Sequence, residues 1–259
     1  AYPPTKSDMT NVTAPTWESF DGHFVGGEMS VLKFWPGAPA PPKNLSREGR
    51  LVPELVKQFA QTQLCNFADT EIHFRLDGVP CAFPSAEHFY QALVWPEHVA
   101  DFVSDGPLGK VTRESLRFAY GYEEVEKHFA YWSRRNMIGG LAKLHANRLE
   151  RTYPKREISE QEAFRLREAT LRAKVRQNPL VHEALIRTDK MFLVSFDPTA
   201  GSRRPKPARW GALVRDGRIV GHNHNGGMMM HIRATMRDIM DGPLTHPDFV
   251  TVLRGKSGS

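Results

Sequence analysis

The chain has little cysteine: Cys65 and Cys81 are the two among 259 residues. They form no C-x-x-C pair and are too few for a disulfide framework, so the sequence predicts reduced thiols and no structural zinc site. Long hydrophobic runs are lacking too. Every apolar stretch is short and interrupted, and the first residues, Ala1-Tyr-Pro-Pro-Thr-Lys6, have no basic-then-apolar leader pattern. The expectation is a soluble intracellular protein, cytoplasmic or nuclear, with no membrane partner. Neither a Walker A loop nor a G-x-G-x-x-G turn occurs, and no internal repeat is present. A content of 40% hydrophobic, 10% aromatic and 25% charged residues excludes disorder and collagen as descriptions of the whole. A net charge of +6 is a modest excess that permits partners carrying phosphate and demands none.

Residues 1–28, rich in Pro, Thr, Ser and Gly, read as a flexible N-terminal arm; residues 29–243 read as one folded domain and 244–259 as a tail. Within the domain, Met29 to Trp35 is β-prone and stops at Pro36. Glu71 to Leu76 and Val79 to Phe83 form a hairpin around Asp77-Gly78, with Pro80 placing the second strand at an edge. Ser85 caps a helix from Ala86 to Val94, halted by Pro96. Ser159 with Glu162 opens a helix to Gln177 on which Phe164, Leu171 and Val175 share a face, and Leu180 to Arg187 is another helix. Met191 to Phe196 is a strand, Ser202 to Pro207 a basic loop, Trp210 to Val220 a hairpin around Asp216-Gly217, and Met228 to Met240 a helix. These segments predict an α+β fold, mostly helical, with small antiparallel hairpins.

Two constellations have the residue types for chemistry. In Pro84-Ser-Ala-Glu87-His88-Phe-Tyr90-Gln91-Ala, Glu87 falls in a first helical turn, where the positive helix end favours an ionised carboxylate. That setting suits a base or charge stabiliser better than a proton donor, although a first-turn Glu also serves the helix alone. In Gly221-His-Asn223-His-Asn-Gly226-Gly227-Met228, glycines ahead of a helix offer free N–H groups to an anion; the bland alternative is a turn between hairpin and helix. His222 and His224 lack nearby acidic or cysteine partners, so no metal is expected there.

The order of the pieces adds information. Phe34-Trp35, Leu64-Cys-Asn66-Phe67, Leu76-Asp-Gly-Val79, the Ser85-x-Glu87-His88-x-x-Gln91-Ala92 element, Leu171 to Leu180, Trp210-Gly211 and Gly221-x-Asn223 through Met230-x-x-Arg233 together resemble the NADAR (YbiA-like) family over residues 30–240. The resemblance implies a mostly helical α+β N-glycosidase without cofactor or metal. It implies action on ADP-ribosylated guanine in DNA, RNA or nucleotides, with a riboflavin-pathway aminopyrimidine ribosyl phosphate, or ADP-ribose binding without turnover, as alternatives. Carried over, Glu87 falls on the family's catalytic glutamate. The expected substrate contacts are Trp35, Asn66, Phe67, His88, Tyr90, Trp210, Gly211, Asn223, Gly226, Gly227 and Arg233, with the diphosphate on the Gly226-Gly227 helix start and Arg233. The chain departs from the family at Ala212, where bacterial members often carry an acid, and near Ser159, where a pocket tryptophan is usual; Trp132 is the expected substitute.

Cleaving a ribosyl C1′–N bond passes through an oxocarbenium-like state that a carboxylate stabilises, which is the role expected of Glu87. A lysine amine in a shielded site can instead trap the opened sugar as a Schiff base. Lys33, between Leu32 and Phe34, is the candidate for that route.

Overall fold

The computed structural model describes residues 19–27, 29–35, 38, 46–47, 50–76, 79–133, 137–153, 157–201 and 208–236. Along them run β1 (Val31–Phe34), β2 (Ser46–Arg47), β3 (Arg50–Leu51), α1 (Val56–Gln63), β4 (Ile72–Leu76), β5 (Val79–Phe83), α2 (Ala86–Val94), α3 (Val99–Phe102) and α4 (Arg113–Tyr120). There follow α5 (Glu126–Trp132), α6 (Gly139–Thr152), α7 (Glu160–Gln177), α8 (Pro179–Arg187), β6 (Phe192–Ser195), β7 (Leu213–Arg215), β8 (Arg218–Val220) and α9 (His224–Ala234). The fold is α+β as expected, with strands pairing two at a time among the described residues. No helix there is long and apolar enough to cross a membrane.

Local chemistry accounts for the element ends that position the site. Ser85 caps α2, its hydroxyl accepting from the His88 N–H, and Ser159 caps α7 by accepting from the Glu162 N–H at 3.1 Å. β4 and β5 pair antiparallel with Ile72 opposite Phe83; the Asp77-Gly78 turn between them lies outside the described residues. The β7–β8 turn is described. Asp216 and Gly217 have φ of 50° and 71°, as a two-residue hairpin loop requires.

The expected hairpins β4–β5 and β7–β8 are present; the other two expected strands, β1 and β6, pair in parallel, Val31 against Phe192 through Phe34 against Ser195, with helices α1 to α8 lying between them in sequence as the crossover. Two expectations need correction. α9 begins at His224 rather than Met228, so Gly226 and Gly227 lie inside its first turn. Finally, the end of the supposed arm is packed. Val25 is buried, its N–H bonds the Gly217 carbonyl, and Phe24 bridges to Arg218, so residues 19–27 extend the β7–β8 sheet. Residues 1–18, the 202–207 loop and residues 237–259 lie outside the described set.

Burial is concentrated in two apolar clusters. One gathers α2 to α6 with β4 and β5 around Phe83, Phe89, Phe102 and Leu141; the other gathers α1, α8, β1, β6 and α9 around Leu32, Phe34, Leu193, Met228 and Met229. α7 is the seam, with Leu166 in the first cluster and Leu171 and Val175 in the second. Its apolar face also carries two buried cations, Arg167 and Lys174.

Candidate active site

The site starts from the short stretch Cys65-Asn66-Phe67. Each of its three carbonyls is tied to a different helix: Cys65 accepts from Lys174 Nζ of α7 at 2.5 Å, Asn66 from the Glu87 N–H of α2, and Phe67 from the Gly139 N–H of α6, both at 3.0 Å. This packing requires glycine at 139, since a Cβ there would lie 2.6 Å from Phe67 Cα and 2.8 Å from Ser85 Oγ. The Asn66 side chain is thereby aimed at Glu87.

Glu87 is 1% exposed and accepts three hydrogen bonds: Asn66 Nδ2 and Arg167 Nη1 reach Oε2 at 2.5 and 2.6 Å, and Gln91 Nε2 reaches Oε1 at 2.7 Å. Burial alone would push the carboxyl pKa up. The charge and hydrogen bond of Arg167 outweigh it, with Lys143 and Gln91 adding, and hold the group below the ordinary carboxylate value. Glu87 is therefore ionised at neutral pH. Arg167 is itself positioned by rings, its guanidinium carbon lying 3.8 Å from the Tyr90 centroid and 5.0 Å from that of Trp210.

Glu87 lies at one wall of a cavity of about 1180 Å³ between the two apolar clusters. Asn66, Phe67, Tyr90, Gln91 and Arg167 share that region, Lys143 comes from α6 and Ser159 from the cap of α7, and residues 195–198, Arg209, Trp210, Gly211 and Asn225 complete the lining, Trp210 standing against Tyr90 and Arg167. Rings of Phe67, Tyr90, Phe196 and Trp210 line this volume, which is somewhat larger than the roughly 300–1,000 Å³ of ordinary small-ligand pockets.

No protein-family profile matches the sequence, and no curated protein matches it significantly. A solved structure is similar. The NMR structure of the E. coli protein YbiA has 18% sequence identity over 81% of this chain and 98% of that chain, with a TM-score of 0.41.

Of the residues singled out in the sequence, Glu87, Asn66, Phe67, Tyr90, Trp210 and Gly211 come together around the cavity. Trp35 stands one ring away, edge-on to Phe196 at 5.8 Å. The others are placed elsewhere. Lys33 is exposed on β1, because strand alternation turns it away from the buried side chains of Leu32 and Phe34; its amine lies 5.8 Å from the Phe196 centroid, outside the cavity lining. The apolar shielding expected from its sequence neighbours is therefore missing. His88 is wholly buried between Ser85 Oγ and the Leu108 carbonyl, and burial lowers its pKa to about 4, so it is a neutral core residue. Trp132 packs in the helical core against Gly140, where a Cβ would meet its ring at 2.2 Å, and does not replace a pocket tryptophan.

The glycine-rich segment is structural as well. Three N–H groups at the start of α9 are already occupied, Asn223 by the Gly211 carbonyl, His224 by Arg209 and Asn225 by Trp210, so the 209–211 backbone takes bonds that an anion would need there. Gly226 lets α9 lie on β6: a Cβ would be 2.3 Å from the Leu193 carbonyl oxygen. At Gly227 a Cβ would press on the Phe20 ring at 2.8 Å. Asn223, with φ of 55°, fastens the same contact by accepting from the Ser195 N–H and donating to the Leu193 carbonyl. Arg233 donates to Thr188 Oγ1 and the Met191 carbonyl at the far end of α9.

The sequence reading quoted Gln91 and Asn225 within its motifs without giving them a place in the site and passed over Lys143, Arg167 and Arg209; all five line the cavity. A signal existed for Arg167: it falls three residues after Phe164 and four before Leu171, inside the apolar stripe of a helix, where an unpaired cation is costly. Gln91, one helical turn after Glu87 in the quoted motif, could have been read the same way, whereas no such signal marks Lys143 and Arg209.

Proposed function

We propose that this protein is an N-glycosidase that hydrolyses the bond between ribose C1′ and a nucleobase nitrogen, acting on ADP-ribosylated guanine in nucleic acid or nucleotides. The observation that carries this reading is the buried, ionised Glu87 beside a cavity large enough for a nucleotide. As the C1′–N bond breaks, its electron pair leaves with the base, which takes up a proton, and positive charge builds on the ribose. A fixed carboxylate in a water-poor wall stabilises that charge without rearranging. Water oxygen then bonds to C1′ and loses its proton. Oε2 is committed to Asn66 and Arg167, whereas Oε1 accepts only from Gln91 and keeps a lone pair for C1′ or for the incoming water.

The low carboxyl pKa makes Glu87 a charge stabiliser before it is a base. Lys143, exposed on the cavity wall, is the cation suited to a phosphate. The motif order from Asn66-Phe67 through Glu87 to Trp210-Gly211 supports the same reading. Incubation of the purified protein with ADP-ribosylated guanosine, followed by chromatography, is expected to release ADP-ribose and guanosine. Binding without product would replace the reading with that of an ADP-ribose receptor, and turnover of an aminopyrimidine ribosyl phosphate alone would replace the substrate.

A further inference from the structure

Two buried cations stand on one face of α7: Arg167 and, about two helical turns later, Lys174. Arg167 has Glu87 as its counter-ion. Lys174 is 0% exposed, no carboxylate pairs with it among the described residues, and its amine has one acceptor there, the Cys65 carbonyl at 2.5 Å. Burial pushes the amine pKa down to about 8. A lysine in such a place works against stability, because an ammonium carries three N–H donors and loses its hydration on burial.

The local backbone does not depend on the contact. The Cys65 carbonyl also accepts from the Ala68 N–H at 3.1 Å, so an apolar side chain at 174 would leave that oxygen paired. The Cys65 thiol is no counter-charge either, since burial raises its pKa to about 11 and keeps it neutral. What the amine does fix is the residue next to its acceptor. Asn66 Nδ2 donates to Glu87 Oε2, the same oxygen that takes Arg167 Nη1, so donors from two segments must meet at one atom. Arg167 reaches that atom from α7 directly. Asn66 reaches it from the stretch that follows α1, whose Asn66 and Phe67 carbonyls are tied to α2 and α6 and whose Cys65 carbonyl is tied by Lys174 to α7. One helix thereby references both donors to the carboxylate.

We infer that Lys174 is a positioning residue, whose amine holds the Cys65-Asn66 backbone against α7 so that Asn66 and Arg167 converge on Glu87 Oε2. Lys174 lies outside the cavity lining and acts through Asn66. The inference deepens the proposed function and rests on it for the step that Glu87 performs.

Lys174→Met, which keeps the length of the side chain without its donors, tests this in the full chain. Its melting temperature is expected to equal or exceed that of wild type, because the uncompensated amine is gone. The side-chain amide proton of Asn66, followed by proton–nitrogen correlation NMR and lying downfield in wild type through its short bond to Glu87, is expected to move upfield toward the position of a free amide. With ADP-ribosylated guanosine, kcat is expected to fall at least about ten-fold while KM stays within about two-fold. The amide signal is read without substrate, so the two proposals fail separately. An unmoved resonance in the stable variant would overturn the positioning role whether or not the protein is a glycosidase, whereas a moved resonance in a protein without turnover would uphold the tie and remove the glycosidase reading. A melting temperature well below wild type would assign Lys174 to the fold instead, and an unchanged kcat beside a moved resonance would overturn its part in catalysis.

Discussion

A carboxylate with 1% of its surface exposed keeps its charge only while the donors around it stay in place, so Glu87 and Arg167 have to be judged as a pair. Removing one partner of a buried pair strands the other, at a cost of about 3–5 kcal/mol, whereas removing both can be nearly neutral. Glu87→Gln is therefore expected to lose at least about two orders of magnitude in glycosidase turnover and also to melt well below wild type. In Arg167→Met the carboxyl loses the cation that holds its pKa down, and the acid limb of the pH–rate profile should move to higher pH. The double variant Glu87→Gln/Arg167→Met is expected to recover most of the melting temperature and none of the activity. Melting curves and pH–rate profiles of the three variants check this, and an active double variant would remove Glu87 from the chemistry.

At the scale of elements, glycines act where helices touch the site. Gly226→Ala would set a Cβ against the Leu193 carbonyl, backbone that cannot swing aside, so it should lower the melting temperature while leaving the affinity for ADP-ribose within about two-fold. A calorimetric titration showing a large affinity loss at unchanged stability would restore the anion-seat interpretation. Gly139→Ala should also lower the melting temperature, but unlike Gly226→Ala it should reach the chemistry. By pushing α6 away from Phe67 and Glu87 it shifts the Asn66 donor, and a displacement of that kind is expected to lower turnover by about an order of magnitude or more, with a smaller change in substrate affinity. Steady-state kinetics separate the two effects.

Elements were also where the sequence was most informative. Ser85 and Ser159 are strong caps, and α2 and α7 begin where those caps place them. Strand identity was legible at Val31–Phe34 and Phe192–Ser195, but their parallel pairing depends on a tertiary contact that no local pattern encodes. The glycines at 226 and 227 read as a loop because glycine disfavours helix interiors; close packing on β6 and on Phe20 overrides that propensity. The site was legible as far as it was local, at Asn66-Phe67 and Glu87. Lys33 misled because its apolar neighbours in sequence face the other side of a strand, and Arg209 and Asn225 were hidden because their meeting at Trp210 is made by the fold.

For the whole molecule, the buried titratable groups set an acid limit. His88 and His224 are both held to pKa values of about 4, chiefly by burial, and the Glu87 carboxyl lies below its ordinary value. Unfolded histidines bind protons near pH 6.5, so between that pH and about 4 the unfolded chain takes up protons that the folded chain refuses. Stability should be full above pH 6.5 and decline on acidification through this window, with about 3 kcal/mol of the loss assignable to His88. Glu87 then adds its own loss below the ordinary carboxylate value as it becomes protonated. Denaturant titrations at pH 7.5, 6 and 5 measure the slope, and a flat profile would contradict the assignment of His88 as a neutral core group. A His88→Gln variant should flatten the slope between pH 6 and 5 relative to wild type.

The parallel pairing of Val31 with Phe192 also bears on how the protein is made. About 160 residues separate the two partners, and at 5–20 residues per second a ribosome needs roughly ten to thirty seconds to deliver the second after the first. Throughout that interval β1 presents an open edge, with Leu32 and Phe34 uncovered, while the sequence of the helical cluster around Phe89 and Leu141, whose last buried residue is Leu166, is completed before Phe192 is added. Trp210 and Asn225 emerge later still. A nascent chain stalled before residue 192 should therefore fold its helical half, hold Glu87 beside an unfinished cavity, and recruit chaperones through the waiting first strand.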